Sequence, residues 1–213
     1  MSGVPVSNAF SEPWNVALFQ HLHATPSSPR LLIAVAAILA EWPLFVAAGL
    51  TGWLLLRQRD RLGIVRLIAA GGVALLIEAL VSMFAFHPRP FAAGFGPAWV
   101  AHAANNSMPS THVTLALIMA MGLAMRRYPR ASAVVAALAV ALAWARIYVG
   151  IHWPADMLGA ALSAIVSVAL VYGVEYGIST CMKLRRKRAL AQRPQEPSIR
   201  PHAKHSHACQ PTE

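Results

Sequence analysis

Five long apolar stretches constrain this chain more than any other feature of its sequence. They are Leu31–Leu56, Ile64–Phe86, Thr111–Met125, Ala131–Gly150 and Ala155–Ile178. A helix needs about 20 apolar residues to cross the hydrocarbon core of a bilayer, and four of the stretches meet this length. The third is shorter, and we expect its N-terminus to begin below the membrane surface in a protein-lined cavity. The sequence therefore predicts an all-α, polytopic membrane helix bundle with five transmembrane helices.

The composition argues against a water-soluble fold and against several small-domain classes. Hydrophobic residues make up 57% of the 213 residues and charged residues 12%, whereas soluble domains average about 45–50% and about 25%. Cys181 and Cys209 are too few for a disulfide framework and lack the spacing of metal ligands. The formal charge of +10 comes from basic residues near the ends of apolar stretches, which is typical of membrane topology. We therefore expect no nucleic-acid partner.

The basic residues orient the predicted bundle. They lie between the first and second stretches, between the third and fourth, and after the fifth, at Arg57, Arg59, Arg61, Arg66, Arg126, Arg127, Arg130, Lys183, Arg185, Arg186, Lys187 and Arg188. The opposite side has only Arg30 and Arg89. Because positively charged loops stay in the cytoplasm, we expect the C-terminus inside and the loop 87–110 and the turn 150–155 outside.

The two ends of the chain are predicted to be peripheral to a transmembrane domain at 31–180. In the N-terminal segment 1–30, apolar residues recur at helical spacing at Trp14, Leu18, Phe19 and Leu22. This spacing indicates a short interfacial helix on the outer surface, and a frayed terminus is the alternative. No Lys or Arg occurs before residue 30, so the pattern of a signal peptide is missing. Residues 181–213 are predicted to form a basic, disordered cytoplasmic tail.

Three polar clusters lie at the outward ends of the predicted helices. The first contains His87 and Arg89, the second is Pro-Ser-Thr-His at 109–112, and the third runs from Arg146 through His152 to Asp156. Ionisable groups at membrane depth are costly and are usually functional. The topology brings all three clusters to one face of the bundle, where we expect the functional site.

The middle cluster predicts a phosphate site at a helix start. Ser110 is a good N-cap for a helix that begins at Thr111, and free backbone N–H groups at a helix N-terminus suit a phosphate. His112 then lies in the first turn, close to the bound anion. The alternative is a plain serine cap beside an incidental histidine at the interface.

The third cluster predicts a positioned imidazole. Pro154 suits the first helical turn, which places His152 just before the helix and Asp156 within its first turn. The carboxylate can fix the imidazole tautomer and leave the other nitrogen as nucleophile or base. The alternative is that Asp156 only complements the helix dipole, but this leaves His152 and Arg146 unexplained. Arg89 is a candidate for bidentate phosphate binding, with a contact to lipid headgroups as its alternative.

Together the clusters resemble the signature of the type 2 phosphatidic acid phosphatase superfamily, which runs Lys-x6-Arg-Pro, Pro-Ser-Gly-His and Ser-Arg-x5-His-x3-Asp. Arg89-Pro90 matches the end of the first part. Residues 109–112 match the second part with Thr for Gly, and residues 145–156 match the third with Ala for Ser. The spacing within each part and the order of the parts are both kept.

Within this superfamily the chain is most similar to bacterial undecaprenyl-diphosphate phosphatases. The similarity covers about residues 14–160 and lies in His87-Pro88-Arg89-Pro90-Phe91, in His102 upstream of Asn106-Ser107-Met108-Pro109-Ser110, and in Asn15 and Phe19. It implies a bacterial inner-membrane enzyme in cell-wall lipid-carrier recycling and bacitracin resistance. The chain also departs from the signature: its lysine position is Ser82, its glycine is Thr111 and its serine is Ala145. We expect His87 or a main-chain group to replace the missing lysine.

The resemblance implies a two-step phosphoryl transfer. His152, held by Asp156, attacks the terminal phosphorus and forms a phosphohistidine, while His112 protonates the leaving oxygen and then activates water. The groups that bind the transferring phosphoryl are Arg89, Arg146 and the N–H groups near Ser110 and Thr111, with His87 as a further candidate. The expected substrate partner is a polyprenyl diphosphate in the bilayer. We expect no cofactor and no metal, although His202, His205 and His207 form a weak metal-binding pattern in the tail.

Other functions stay open at this stage. The same chemistry suits phosphatidic acid, phosphatidylglycerol phosphate or lipid A, and a haloperoxidase is the least favoured member of the superfamily because those enzymes are soluble. A small transporter is an alternative of a different class, because Glu41 and Glu78 lie inside predicted spans and could line a pathway. A neutral Glu bonded to a neighbouring helix explains them equally well. The sequence does not determine the oligomeric state.

Overall fold

The computed structural model describes residues 13–191, which form helices joined by loops and contain no strand. The helices are α1 (Pro13–Leu22), α2 (Arg30–Leu39), α3 (Trp42–Arg57), α4 (Arg61–Phe84), α5 (Thr111–Met125), α6 (Pro129–Tyr148) and α7 (Pro154–Ala191). The predicted all-α class is confirmed. Residues 181–191, which we assigned to the tail, are helical, and the rest of the predicted tail lies outside the described residues.

The chain divides into two compact units, 1–175 and 176–213. The first unit contains α1 to α6 and most of α7. Of the second unit, residues 176–191 are described as helix. The contacts of the candidate site lie within the first unit.

The helices have the length and surface of membrane spans. Four segments are long and apolar enough to cross a bilayer: Arg30–Arg57, Arg61–Phe84, Pro129–Tyr148 and Pro154–Lys187. Large apolar side chains such as Ile68, Phe84 and Val140 are about two-thirds or more exposed (70%, 79% and 68%). Such a surface is stable when hydrocarbon rather than water surrounds it. The predicted membrane bundle is therefore supported.

The first predicted span, Leu31–Leu56, is not one continuous helix. It is interrupted at Ala40 and Glu41, where α2 ends and α3 begins. Pro43 explains the interruption. A proline has no N–H to donate, and in a continuous helix its ring clashes with the carbonyl four residues earlier. The interruption leaves the carbonyl of Ala40 without the N–H of Leu44, which bonds to Glu41 instead.

α5 is the central helix of the bundle, which explains how so short a helix persists. It packs against α3, α4 and α6, and many of its residues are buried. Small residues such as Ala116, Ala120 and Ala139 are buried between these helices, so the backbones approach closely. Pro109 and Ser110, which precede α5, are also buried, so this helix begins beneath the preceding loop.

α1 is helical and docks on the end of the bundle. Phe19 is fully buried and packs with Ile147 and Trp153. The side chain of Asn15 accepts a hydrogen bond from the backbone N–H of Ala155 at 3.0 Å. Asn15 thus satisfies one of the free N–H groups at the start of α7, and the N-terminal segment helps to fix the helix that carries Asp156.

Candidate active site

His152 lies in the turn between α6 and α7 and is 1% exposed. Its Nδ1 is 3.0 Å from Oδ2 of Asp156, which is in the first turn of α7. The same oxygen accepts from the backbone N–H of Trp153 at 2.8 Å and from the hydroxyl of Ser107. Because an ionised carboxylate only accepts hydrogen bonds, Nδ1 of His152 carries the proton.

The other nitrogen of His152 faces two arginines. Its Nε2 is 3.0 Å from Nη1 of Arg89 and 3.2 Å from Nη2 of Arg146. Guanidinium groups donate and cannot accept, so Nε2 presents its lone pair to both. Burial, reinforced by the charges of Arg146 and Arg89 and opposed by Asp156, lowers the pKa of His152 to about 3. The imidazole is therefore neutral at neutral pH and has the tautomer of a nucleophile.

Arg89 is fixed by the loop that joins α4 to α5. Its Nε donates to the side-chain oxygen of Asn105 at 2.9 Å, and its Nη2 donates to the backbone carbonyl of Asn106 at 3.1 Å. Its Nη1 also donates to the carbonyl of Ile151 at 2.8 Å. Burial lowers the pKa of Arg89, while Asp156 acts in the opposite direction. These bonds hold the guanidinium in one orientation beside His152.

Arg146 is near the end of α6 and is 2% exposed. Its Nη1 donates to the carbonyl of Ala40 at 2.8 Å, which is available because the first span is interrupted there. Its Nη2 is 3.3 Å from Nε2 of His102, in addition to its contact with His152. The interrupted span thus positions the second guanidinium of the site.

Two buried donors of this region have no hydrogen-bond partner among the described residues. They are Nε of Arg146 and Oγ of Ser110. Ser110 occupies the N-cap position of α5 as predicted, but its side chain makes no capping bond. Buried donors without acceptors are costly, and Ser110 directly precedes the N-terminus of α5. Their arrangement suits an oxyanion, as the sequence predicts for this cluster.

His112 lies in the first turn of α5 and is half-buried. The charges of Arg146 and Arg89 act on its imidazole, so His112 lies near the two arginines. A histidine there is placed to exchange protons with a bound anion.

His87 lies beside the carboxylate of Asp156. Its Nδ1 is 3.3 Å from Oδ1 of Asp156, and its ring lies 6.1 Å from that of Trp153. It therefore contacts the carboxylate that holds His152. Ser82, at the lysine position of the resembled signature, is in the last turn of α4.

Several residues of the site were not identified from the sequence as functional. Ser107 donates to Asp156, Asn105 and Asn106 hold Arg89, and the carbonyl of Ala40 holds Arg146. The polar run that ends in Ser107, within an otherwise apolar chain, is the signal that could have drawn attention to three of them. A backbone carbonyl leaves no such signal.

The remaining candidate features from the sequence are metal ligands and the two glutamates Glu41 and Glu78. Within residues 13–191, no group of three or more His, Cys, Asp or Glu side chains is placed to hold a metal ion, and His202, His205 and His207 lie outside that range. Glu41 is exposed at the interruption between α2 and α3, and Glu78 is partly exposed on α4. Their charges act on the two arginines of the site.

The chain matches a protein-family model and has sequence relatives among known proteins. Residues 63–178 match the family model described as PAP2 superfamily. The chain is 32% identical over 159 residues (73% of this chain, 79% of the relative) to the Escherichia coli (strain K12) protein named "Putative undecaprenyl-diphosphatase YbjG". It is 28% identical over 154 residues (71% of this chain, 79% of the relative) to "Undecaprenyl-diphosphatase BcrC" of Bacillus subtilis (strain 168).

A solved structure shares the fold. The crystal structure of Aquifex aeolicus LpxE gives a TM-score of 0.64 at 22% identity, covering 79% of this chain and 99% of that one. The region matched by the family model contains all three motifs on which the resemblance was based. The resemblance is confirmed, and the chain belongs to the PAP2 superfamily.

Proposed function

We propose that the protein is an integral-membrane lipid phosphatase that hydrolyses undecaprenyl diphosphate to undecaprenyl phosphate and inorganic phosphate. The observation that carries the proposal is the geometry of His152, whose Nδ1 is held by Asp156 while its Nε2 lone pair lies between Arg89 and Arg146. The names of the two sequence relatives support the diphosphate substrate.

In the first step, Nε2 of His152 attacks the terminal phosphorus and the bond from phosphorus to the bridging oxygen breaks. A phosphohistidine forms, and the lipid phosphate leaves with a proton from His112. Asp156 stabilises the imidazolium that develops. Arg89 and Arg146 stabilise the charge on the equatorial oxygens, which is where most of the catalysis in phosphoryl transfer arises.

In the second step, His112 removes a proton from water, and the water oxygen attacks the phosphohistidine. The bond between phosphorus and Nε2 breaks, and inorganic phosphate is released. His152 returns to its neutral tautomer, because Asp156 keeps the proton on Nδ1. No residue of the chain is consumed in the cycle.

An apolar groove supports a substrate with a long hydrocarbon chain. It has a volume of about 620 Å³ and lies between α3, α4 and α5, with Gly52, Leu75, Leu115 and Met119 among its lining residues. Leu115 and Met119 follow His112 at intervals of three and seven residues, so they lie on the same face of α5. A lipid whose headgroup reaches His112 can therefore place its chain in this groove.

The test is phosphate release by the purified protein from undecaprenyl diphosphate and from phosphatidic acid, each with and without EDTA. We expect the diphosphate to be hydrolysed faster, EDTA to have no effect, and His152→Ala to abolish release. His21→Ala, an exposed change on α1, is the matched control and should keep full activity. Faster release from phosphatidic acid would replace the proposed substrate, and full activity of His152→Ala would end the proposed mechanism.

The phosphohistidine can be trapped. A departing phosphate is a weak base and needs little help from an acid, so His112→Gln should slow the second step more than the first. With undecaprenyl diphosphate labelled in its terminal phosphate, we expect His112→Gln to accumulate an acid-labile label on the protein. The double variant with His152→Ala should carry none, and an unlabelled His112→Gln would contradict the role of His152.

The orientation is part of the same proposal: the site faces the outside of a bacterial inner membrane, and the C-terminus is cytoplasmic. We divide the chain into an N-terminal segment (1–30), a phosphatase domain (31–180) and a basic tail (181–213). Cys181 is exposed and falls in the tail. A membrane-impermeant thiol reagent should therefore label the protein only after cells are permeabilised, and labelling in intact cells would reverse the orientation.

A further inference from the structure

His102 belongs to the loop between α4 and α5, and the proposed reaction does not use it. It is half-buried, and its ring lies 6.3 Å from the ring of His152 at an interplanar angle of 79°. Its Nε2 is 3.3 Å from Nη2 of Arg146, the same nitrogen that contacts His152. An anion that replaces His152 as the acceptor for Arg146 must therefore also approach His102.

The hydrogen bonds of His102 fix its tautomer. Its Nδ1 is 3.1 Å from the carbonyl of Ala103, and a carbonyl only accepts, so Nδ1 carries the proton. Nε2 then offers its lone pair to Arg146, which can only donate. His102 thus takes the place on Arg146 that an oxygen of a bound anion would occupy.

Binding of a phosphate changes what Nε2 of His102 faces. When a phosphate oxygen accepts from Arg146, the lone pair of Nε2 is left opposite the lone pairs of that oxygen, which is repulsive. A proton from water removes the conflict, because a doubly protonated imidazole can donate from Nε2 while Nδ1 stays bonded to Ala103. Water reaches the ring because His102 is half-exposed.

We propose that His102 is a phosphate-binding residue of this site, which takes up one proton as the anion binds and donates a hydrogen bond to it. The inference rests on the proposed function, because it concerns the same anion pocket. It supplies a third positive charge beside Arg89 and Arg146, at a site where Ser82 stands at the lysine position and His87 is bonded to Asp156.

The electrostatics of the site agree with this role. Burial lowers the pKa of His102, and the charges of Arg89 and Arg146 lower it further, so the ring is neutral before the anion binds. A phosphate brings negative charge and acts in the opposite direction. The ionisable groups around the ring are Arg89 and His152 from the loops, Arg146 from α6, His112 from α5 and Glu41 from the interruption before α3.

Calorimetric titration of the purified full chain with inorganic phosphate tests the inference. We would compare wild type, His102→Gln, His102→Asn and the exposed control His21→Gln at one pH in two buffers of different ionisation enthalpy, which gives the number of protons taken up. Glutamine keeps a hydrogen-bonding group but cannot be protonated. We expect wild type and His21→Gln to take up about one proton more than either His102 variant, which should bind phosphate about tenfold more weakly.

Equal proton uptake by wild type and both His102 variants, or affinities within about twofold, would overturn the inference. Phosphate binding is measured without turnover, so the result is independent of the lipid that is hydrolysed. If wild type does not cleave undecaprenyl diphosphate but shows the His102-dependent uptake, only the proposed substrate fails. If it cleaves the diphosphate and the uptake is unchanged in the variants, only the role of His102 fails.

Discussion

The carboxylate of Asp156 is fully buried and receives hydrogen bonds from separate parts of the chain. The hydroxyl of Ser107 comes from the loop before α5, while the N–H of Trp153 and the Nδ1 of His152 come from the turn before α7. A buried carboxylate keeps its charge only when donors replace the lost water. The orientation of His152 thus depends on the other hydrogen bonds that fix its partner Asp156.

Ser107→Ala should lower kcat while leaving the fold intact. It removes one donor from Asp156, and a lost hydrogen bond to a charged group corresponds to about 1.5–3 kcal/mol, or roughly a tenfold to hundredfold change. Ser167→Ala is the matched control, because Ser167 is also buried and donates to the carbonyl of Ser163. It should keep kcat near the wild-type value. Equal kcat for both variants would show that Ser107 does not position Asp156.

The sequence identified the charged residues of the site better than the groups that support them. Arg89, Arg146, His152 and Asp156 stand out because ionisable side chains are rare in an apolar chain, and the structure brings them together. Ser107 is small and neutral, and its partner is 49 residues away. Its bond depends on the path of the loop, which residue spacing does not reveal.

The interruption between α2 and α3 provides a backbone carbonyl that binds a side chain of the site. In a continuous helix, the carbonyl of Ala40 would accept from the N–H of residue 44. Here the N–H of Leu44 bonds instead to Glu41 at 3.2 Å, and the carbonyl of Ala40 accepts from Arg146. A defect in one span is thus coupled to the position of a guanidinium on another.

Pro43→Leu should lower activity without lowering stability. Leucine restores the N–H and favours a continuous helix, which directs the Ala40 carbonyl along the helix and away from Arg146. We expect kcat/KM to fall about tenfold, the effect of one lost hydrogen bond to a charged group, with an unchanged or higher Tm. Pro129→Leu, at the first position of α6, is the control and should keep kcat/KM. A Pro43→Leu enzyme with full activity would contradict the coupling.

The groove between α3, α4 and α5 gives a prediction about chain length. A Cβ added at Gly52 or at Gly49 meets nothing within 4 Å, but only Gly52 is among the lining residues of the groove. Gly52→Leu should therefore fill part of the groove and raise the KM for undecaprenyl diphosphate, with a smaller effect on farnesyl diphosphate. Gly49→Leu should change neither KM. A rise in KM that is equal for both lipids would argue against the groove.

The spans themselves were largely predictable, and their interruptions were not. Hydropathy located Thr111–Met125 with the observed bounds, and it located the other long helices within a few residues at most ends. It passed over the break at Ala40, because one glutamate and one proline do not divide so long a stretch of high mean hydropathy. The predicted stretch ended at Ile178, whereas α7 continues to Ala191. Charged residues end an apolar stretch, but they do not end a helix.

The first unit as a whole has polar clusters at both ends of an apolar bundle. At the end away from the site, Asp60 accepts from the N–H of Gly63 at 2.9 Å and pairs with Arg126, and Arg66 pairs with Glu175. These pairs join α4 to the helices beside it. The ends of the unit are therefore fixed by directed polar contacts, and its middle by close packing of small residues.

Stability should fall as the pH is lowered from about 7.5 to about 5. Burial lowers the pKa of His23, His102 and His152, so the folded chain resists protons that the unfolded chain binds below about 6.5. The unfolded state is thus favoured through that window, and the full stability is present above it. Thermal unfolding of the purified protein in detergent checks this. A Tm that is constant or higher at the lower pH would contradict the pKa directions.

The two guanidiniums that face the lone pair of His152 also protect it. Arg89 and Arg146 donate hydrogen bonds to that lone pair, so it is not available to react with an electrophile that has no anionic oxygens. The lone pair is released only by a molecule that accepts hydrogen bonds from both guanidiniums in place of His152. Nε2 of His152 therefore becomes a reactive nucleophile only when an anion such as a phosphate is bound beside it.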